Sequence, residues 1–165
     1  MKLTAPLSEL GQFVVTFQAI EAHLTEVIVL FTGADDEHVH ALVAELEYNS
    51  RLRAADVIFA RFVGLTRGAD TSAPLAFHKL MSDLQKLGER RNSLIHSHYN
   101  ILVGSAGALG LARRNRKLRP SKGIQEHEAE DLMQNSLSED LRRLGDALAR
   151  LEQFRLKAIE WKYPT

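Results

Sequence analysis

Phe13, Phe17, Ile20, Leu24, Val27 and Phe31 recur every three or four residues, the spacing that lines up side chains along one side of an α-helix. They predict a helix over about 7–32, with Gly33 as its stop. DDEHVHALVAEL then supplies an acidic first turn and a short stripe of Val39, Leu42, Val43 and Leu46, which predicts a second helix over about 36–47. Asn49 or Ser50 can cap a third, with Leu52, Ala55, Ile58, Phe59 and Phe62 inward, before GLTRGADTSAP breaks the chain. Phe77, Leu80, Met81, Leu84, Leu87 and Leu94 mark a fourth over about 74–98. Ser136 with Glu139 three residues on has capping-box spacing. It announces a last helix with Leu137, Leu141, Leu144, Leu148, Leu151, Phe154 and Trp161 inward. The expectation is an all-α, up-and-down bundle of four to five helices.

One region breaks this rhythm. NILVGSAGALGLARRNRKLRPSKG, at 100–123, reads either as a short hairpin, Ile101 to Val103 against Leu109 to Ala112, or as an irregular loop before the last helix. It is longer than a helix connection requires, and long insertions are often functional. It carries Arg113, Arg114, Arg116, Lys117, Arg119 and Lys122, followed by Glu126, Glu128, Glu130 and Asp131. These charges suit either a solvated loop or an arm that touches phosphate. No aromatic residues are interleaved for base stacking, so sequence-specific readout is not expected.

Composition narrows the classes. A chain of 165 residues with 45% hydrophobic and 25% charged residues is an ordinary single globular domain, residues 1–165. Lys plus Arg and Asp plus Glu both total 21, so any attraction for nucleic acid must be local. The absence of cysteine excludes disulfides, thiol nucleophiles and cysteine-ligated zinc. The N-terminus has no apolar core of a leader, and VIVLF at 27–31 is too short a run to cross a bilayer. A soluble, cytoplasmic protein without membrane contact is expected.

The candidate chemistry lies in GERRNSLIHSHYN, 88–100. Continuing the stripe of the fourth helix from Leu80 through Leu84 and Leu87 leads to Arg91. A guanidinium on an apolar face needs a carboxylate, a phosphate or water. Glu21, between Ile20 and Leu24, is the candidate structural partner; a register-fixing pair is one reading of Arg91. The other involves His96. Asn92 and His96 are four apart, so the amide can orient the imidazole. Arginine offers permanent charge in a phosphate-matching fork, and histidine exchanges protons near neutral pH. Those are the tools of metal-free RNA cleavage.

RNSLIH at 91–96, with four residues between Arg91 and His96, resembles the Arg–polar–spacer–His signature of the HEPN family. The whole helical pattern is similar more loosely, including a first helix with a glutamate in its middle. The resemblance implies a small helical domain that forms a homodimer, with two motifs facing across a cleft. It also implies metal-independent endoribonuclease activity in a toxin–antitoxin, phage-defence or RNA-processing role, with an antitoxin or nucleotidyltransferase partner in some branches. Carried over, Arg91 stabilises the scissile phosphate, His96 is general acid or base, and Asn92 orients them. Arg90, His98, Tyr99, Arg113, Arg114 and Arg116 are the expected RNA contacts. The toxin branch usually has Tyr two residues after the His; here that place is His98, and Tyr99 follows. Other members of the family only bind nucleotides or protein partners, which is the alternative expectation for this chain. A third is a helical dimer that serves as a scaffold.

Other features carry less. His38 and His40, two apart on a helix, point away from each other and make poor metal ligands. His23 and His127 read as surface residues, and Trp161 and Tyr163 as packing anchors. No Ser-His-Asp arrangement, phosphate-cradling glycine loop or spaced carboxylate pair is present, so neither cofactor nor metal is expected.

Overall fold

The computed structural model describes residues 3–105 and 107–164, with the side chains of Lys117, Arg119 and Pro120 left out. The elements run α1 (Thr4–Thr32), α2 (Asp36–Ala44), α3 (Tyr48–Leu65), α4 (Ala73–Ile95), β1 (His98–Val103), β2 (Leu109–Arg119), a 3-10 turn (Pro120–Lys122), β3 (Ile124–Leu132) and α5 (Ser138–Lys162). The five helices fall where the apolar stripes predict them.

Gly33 ends α1 in the left-handed conformation at φ 60°, its N–H bonded to Val29 O. Asp35 caps α2 by accepting from the His38 N–H. The caps expected elsewhere do not form. α3 begins at Tyr48, ahead of Asn49 and Ser50, without a side-chain cap. Ser136 accepts from the Met133 N–H instead of capping α5, and Glu139 turns to Arg142 and Arg143. The turn before α5 is held from a distance: Glu9 on α1 accepts from the N–H groups of Asn135 (2.6 Å) and Leu137 (3.0 Å).

The all-α expectation is overturned. Residues 98–132 form a three-stranded antiparallel sheet in the order β1-β2-β3, so the fold is mixed, a helical body bearing a small sheet. The short hairpin is present, with Ile101 opposite Leu111 and Val103 opposite Leu109, but it is only the start. β2 runs on to pair with β3 from Leu111–Leu132 to Arg119–Ile124. The signal missed was the glutamate at every second residue of β3, facing the cationic run of β2. Arg113 and Asn115 stand opposite Glu130 and Glu128, and the backbone of Lys117 opposite Glu126, and opposite charges across a ladder stabilise it as apolar pairs do.

The core is continuous through the helices. Phe13, Phe17, Ile20, Leu24, Val27, Ile28 and Phe31 of α1 are buried against α3 and α5. On length and composition alone α1 could cross a membrane, but in this fold its stripe faces the core. Phe31, Phe59, Phe62, Phe77 and Phe154 form an aromatic cluster, with Phe59 and Phe77 centroids 4.3 Å apart. Leu111, Leu132 and Leu137 extend the core to the sheet.

The sheet is fastened to α4 and α5 by charge as well. Arg90 of α4 grips Glu130 of β3 with two nitrogens, at 2.8 and 2.7 Å, and Asp140 of α5 at 2.9 Å. Arg113, only 4% exposed, donates to Glu130 (2.9 Å), Ser93 Oγ (2.7 Å) and Ser97 Oγ (3.1 Å). A buried guanidinium is tolerated only with such a full set of partners.

Candidate active site

The end of α4 is two-sided because successive helical residues are turned by about 100°. Arg90, Ser93 and Ser97 face α5 and the sheet and are consumed by the network above. Gly88, Arg91 and Asn92 face α1 and α3. There they line an open cleft of about 310 Å³ together with Phe17, Glu21, Tyr48 and Arg51. α4 ends at Ile95, three residues before the predicted limit, and His96 is its C-cap, the backbone N–H bonded to Asn92 O. The ring of His96 is exposed.

Arg91 is half-buried, its guanidinium carbon 5.7 Å from the centroid of the Phe17 ring, where the face of the ring attracts the cation. Its Nη1 donates to Asn92 Oδ1 at 3.1 Å. The expected pair with Glu21 is not made: Glu21 lines the same cleft but no ion pair joins them among the described residues. Instead, Glu21 acts on Tyr48, whose hydroxyl is pushed up first by burial and then by that nearby carboxylate. Tyr48 Oη donates to Leu84 O at 2.9 Å. The cation of Arg91 therefore lacks a carboxylate partner among the described residues.

Asn92 orients Arg91, not His96. The imidazole of His96 makes no hydrogen bond or ion pair among the described residues. Arg91 and Asn92 are thus brought together in the cleft, and His96 stands at the exposed end of the same helix.

The six expected RNA contacts divide. Arg90 and Arg113 are bound into the carboxylate network; Glu130, beside both, is held below the usual carboxylate range, chiefly by the hydrogen bonds from Arg90. Tyr99 turns inward, its hydroxyl donating to Leu94 O at 2.7 Å, and burial pushes that hydroxyl up. His98, Arg114 and Arg116 are exposed. Of the remaining cationic cluster, the side chains of Lys117 and Arg119 lie outside the described residues.

His38 reaches Asp35, the cap of its own helix (2.6 Å), and His40 reaches Asp36 in the first turn (3.0 Å). Among the described residues no three His, Asp or Glu side chains converge as metal ligands. Sequence reasoning passed over Gly88, Tyr48 and Arg51, which shape the cleft. The one available signal was Gly88, a glycine inside a helical stripe, which often marks close approach of another group.

Compared with family models, curated proteins and solved structures, the chain matches none.

Proposed function

We propose that this protein is a metal-independent endoribonuclease of the HEPN type, with its active site formed where the α4 ends of two copies meet. The observation that carries the reading is the presence on the last turns of one helix of an arginine held without a carboxylate among the described residues, Arg91 in the cleft, and an exposed, unbonded imidazole, His96 at the helix end. One arginine and one histidine make a sparse site; a two-fold axis beside the helix end doubles both. In the proposed step one His96 takes the proton of the ribose 2′-hydroxyl as its oxygen bonds to phosphorus. The P–O5′ bond breaks, and the His96 of the second copy returns a proton to the departing 5′ oxygen. Arg91 stabilises the charge on the crowded phosphorane. A toxin or defence role, with an antitoxin as partner, belongs to the same proposal.

A second reading is a non-catalytic module that binds a nucleotide or a protein. It is favoured by the contacts Arg91 makes within its own chain, to Phe17 and Asn92, which suit a structural part. Conversion of His96 to Ala separates the two. The ribonuclease reading expects total RNA to be cleaved by the native protein in the presence of chelator and left intact by the variant, with thermal melting unchanged. Absence of cleavage by the native protein, at concentrations where it is dimeric, leaves the module.

A further inference from the structure

We infer that the solvent-facing side of the three-stranded sheet docks the sugar–phosphate backbone of single-stranded RNA; the inference rests on the ribonuclease reading of the α4 end. Strand period sends successive residues to opposite faces. Arg113 and Asn115 are buried, with Glu130 and Glu128 across from them. Arg114 and Arg116 must then stand on the other face, and both are exposed. The register sets His98 opposite Arg114 and His127 opposite Arg116, and both histidines are exposed. Four side chains able to carry positive charge therefore share one surface, in neighbouring positions on all three strands.

The acids of β3 are sorted the other way. Glu126, Glu128 and Glu130 alternate onto the inner face, and the carboxylate left on the outer face is Asp131, 3.2 Å from Arg114. Arg116 makes no ion pair or hydrogen bond among the described residues. In a chain of zero net charge, the glutamates of β3 are thus drawn to the inner face, where Glu128 and Glu130 meet Arg113, and two arginines face a single β3 carboxylate on the outer face; the attraction offered there is short in range and directional.

The occupant follows from position and from what the surface lacks. His98 comes two residues after His96, so the platform begins within about 7 Å of chain from the proposed catalytic imidazole. Arg114 and Arg116 are about 7 Å apart along β2, and guanidinium forks match phosphate oxygens. Tyr99 is turned to the inner face, bonded to Leu94 O, so from β1 the outer face offers only the small imidazole of His98, and no Tyr, Phe or Trp, for a base to stack on. Recognition is of the backbone, tolerant of sequence and sensitive to salt.

The test measures anisotropy of a short labelled oligouridylate across a salt series, on the His96→Ala protein so that the strand survives. Adding Arg114→Ala with Arg116→Ala should weaken binding and flatten the slope of log K against log salt by about 1.4, two contacts at about 0.7 each. Arg67→Ala, exposed on the loop before α4, should change neither. Circular dichroism melting keeps the test sound, since Arg114 and Asp131 form an exposed pair that contributes little to stability. Unchanged affinity and slope in the folded double variant overturn the docking surface, as does equal loss of binding to polyglutamate, which would mark a site for an acidic protein. If the native protein fails to cleave RNA yet the double variant loses RNA binding, the docking surface stands without the nuclease. If native protein carrying only the two arginine substitutions binds and cleaves as before, the nuclease stands without this surface.

Discussion

The ring of Tyr48 lies directly on the backbone of Gly88: a Cβ at position 88 would be 2.5 Å from Tyr48 Cε1 and 2.9 Å from Cδ1. Glycine is what brings α3 this close to α4 and closes one end of the cleft beside Arg91. The consequence is a reversal of the usual rule. Replacing an exposed helical glycine by alanine stabilises by about 0.5–1 kcal/mol, and Gly11→Ala on α1, with nothing within 4 Å of the new atom, should do so. Gly88→Ala should instead destabilise by about 1–2 kcal/mol, as overpacking costs about 1–3 kcal/mol and the Tyr48 bond to Leu84 O is lost. Urea denaturation of the two variants gives opposite signs if the contact is real.

Glu130 should shape the acid limb of stability. Its carboxyl is held below the usual range by hydrogen bonds from Arg90, against the opposing effect of burial, with Arg113 adding to the depression. A folded value below the unfolded one means stability that is present above the ordinary carboxylate range near about 4.3 and lost as pH falls through the lowered value. Glu130→Gln should flatten the fall in melting temperature below pH 4.3, roughly. It should also lower stability at neutral pH by about 3 kcal/mol, because Arg113 is left buried with its main charge partner gone. A pH series of melting curves that superposes on the native series after a constant offset would remove Glu130 from this role.

The helices were legible in the sequence because apolar periodicity survives any choice of neighbours. Phe13 to Phe31 make one stripe whichever helix packs on it. The sheet was hidden because β2 carries a cationic run and β3 places glutamates at every second residue, and Arg113, Asn115, Glu128 and Glu130 read as solvated polar residues until the register sets them face to face. Arg91 stood out as a cation on an apolar stripe, but its neighbour was misread by one turn of α1. Glu21 and Phe17 are four residues apart, and sequence does not fix how far α4 slides along α1, a shift of about 5.4 Å per turn. The end of α4 was set too late because RNSLIHSHYN carries no glycine or proline to mark the boundary after Ile95. Arg90 and Arg113 were recognisable as cations, but not as cations already satisfied, since Glu130 and Asp140 come 40 and 50 residues after Arg90 and Glu130 comes 17 after Arg113.

Glu9 should behave as a remote cap. Its carboxylate accepts from the Asn135 and Leu137 N–H groups, and Asn135 holds a positive φ of 67° in the turn that launches α5. Glu9→Ala leaves both donors to water and should cost about 1–2 kcal/mol, a charge-assisted hydrogen bond being worth about 1.5–3 kcal/mol less the gain from exposure of the turn. Amide exchange at Asn135 and Leu137 should quicken far more than in the interior of α5. Equal protection in the variant would mean that the turn stands on Leu137 packing alone.

Arg91→Lys tests the guanidinium apart from its charge. Lysine keeps a cation near the Phe17 ring, so melting should move little; a cation–π contact is worth about 0.5–1 kcal/mol at an exposed site. The planar fork is lost, and with it two-point contact to a phosphorane that carries charge on several oxygens. Cleavage by the variant should fall by about 10²–10³, the loss seen when one preorganised donor to a transition-state oxyanion is removed, while affinity for uncleaved RNA changes much less. On the proposed two-copy site, specific activity of the native protein should also drop on dilution, since a site built from two helix ends would disappear with the dimer. Specific activity that stays constant through dilution to monomer would assign the chemistry to a single copy. A lysine variant that cleaves at the native rate would reduce Arg91 to a point charge beside Phe17, and the fork would have no part in the reaction.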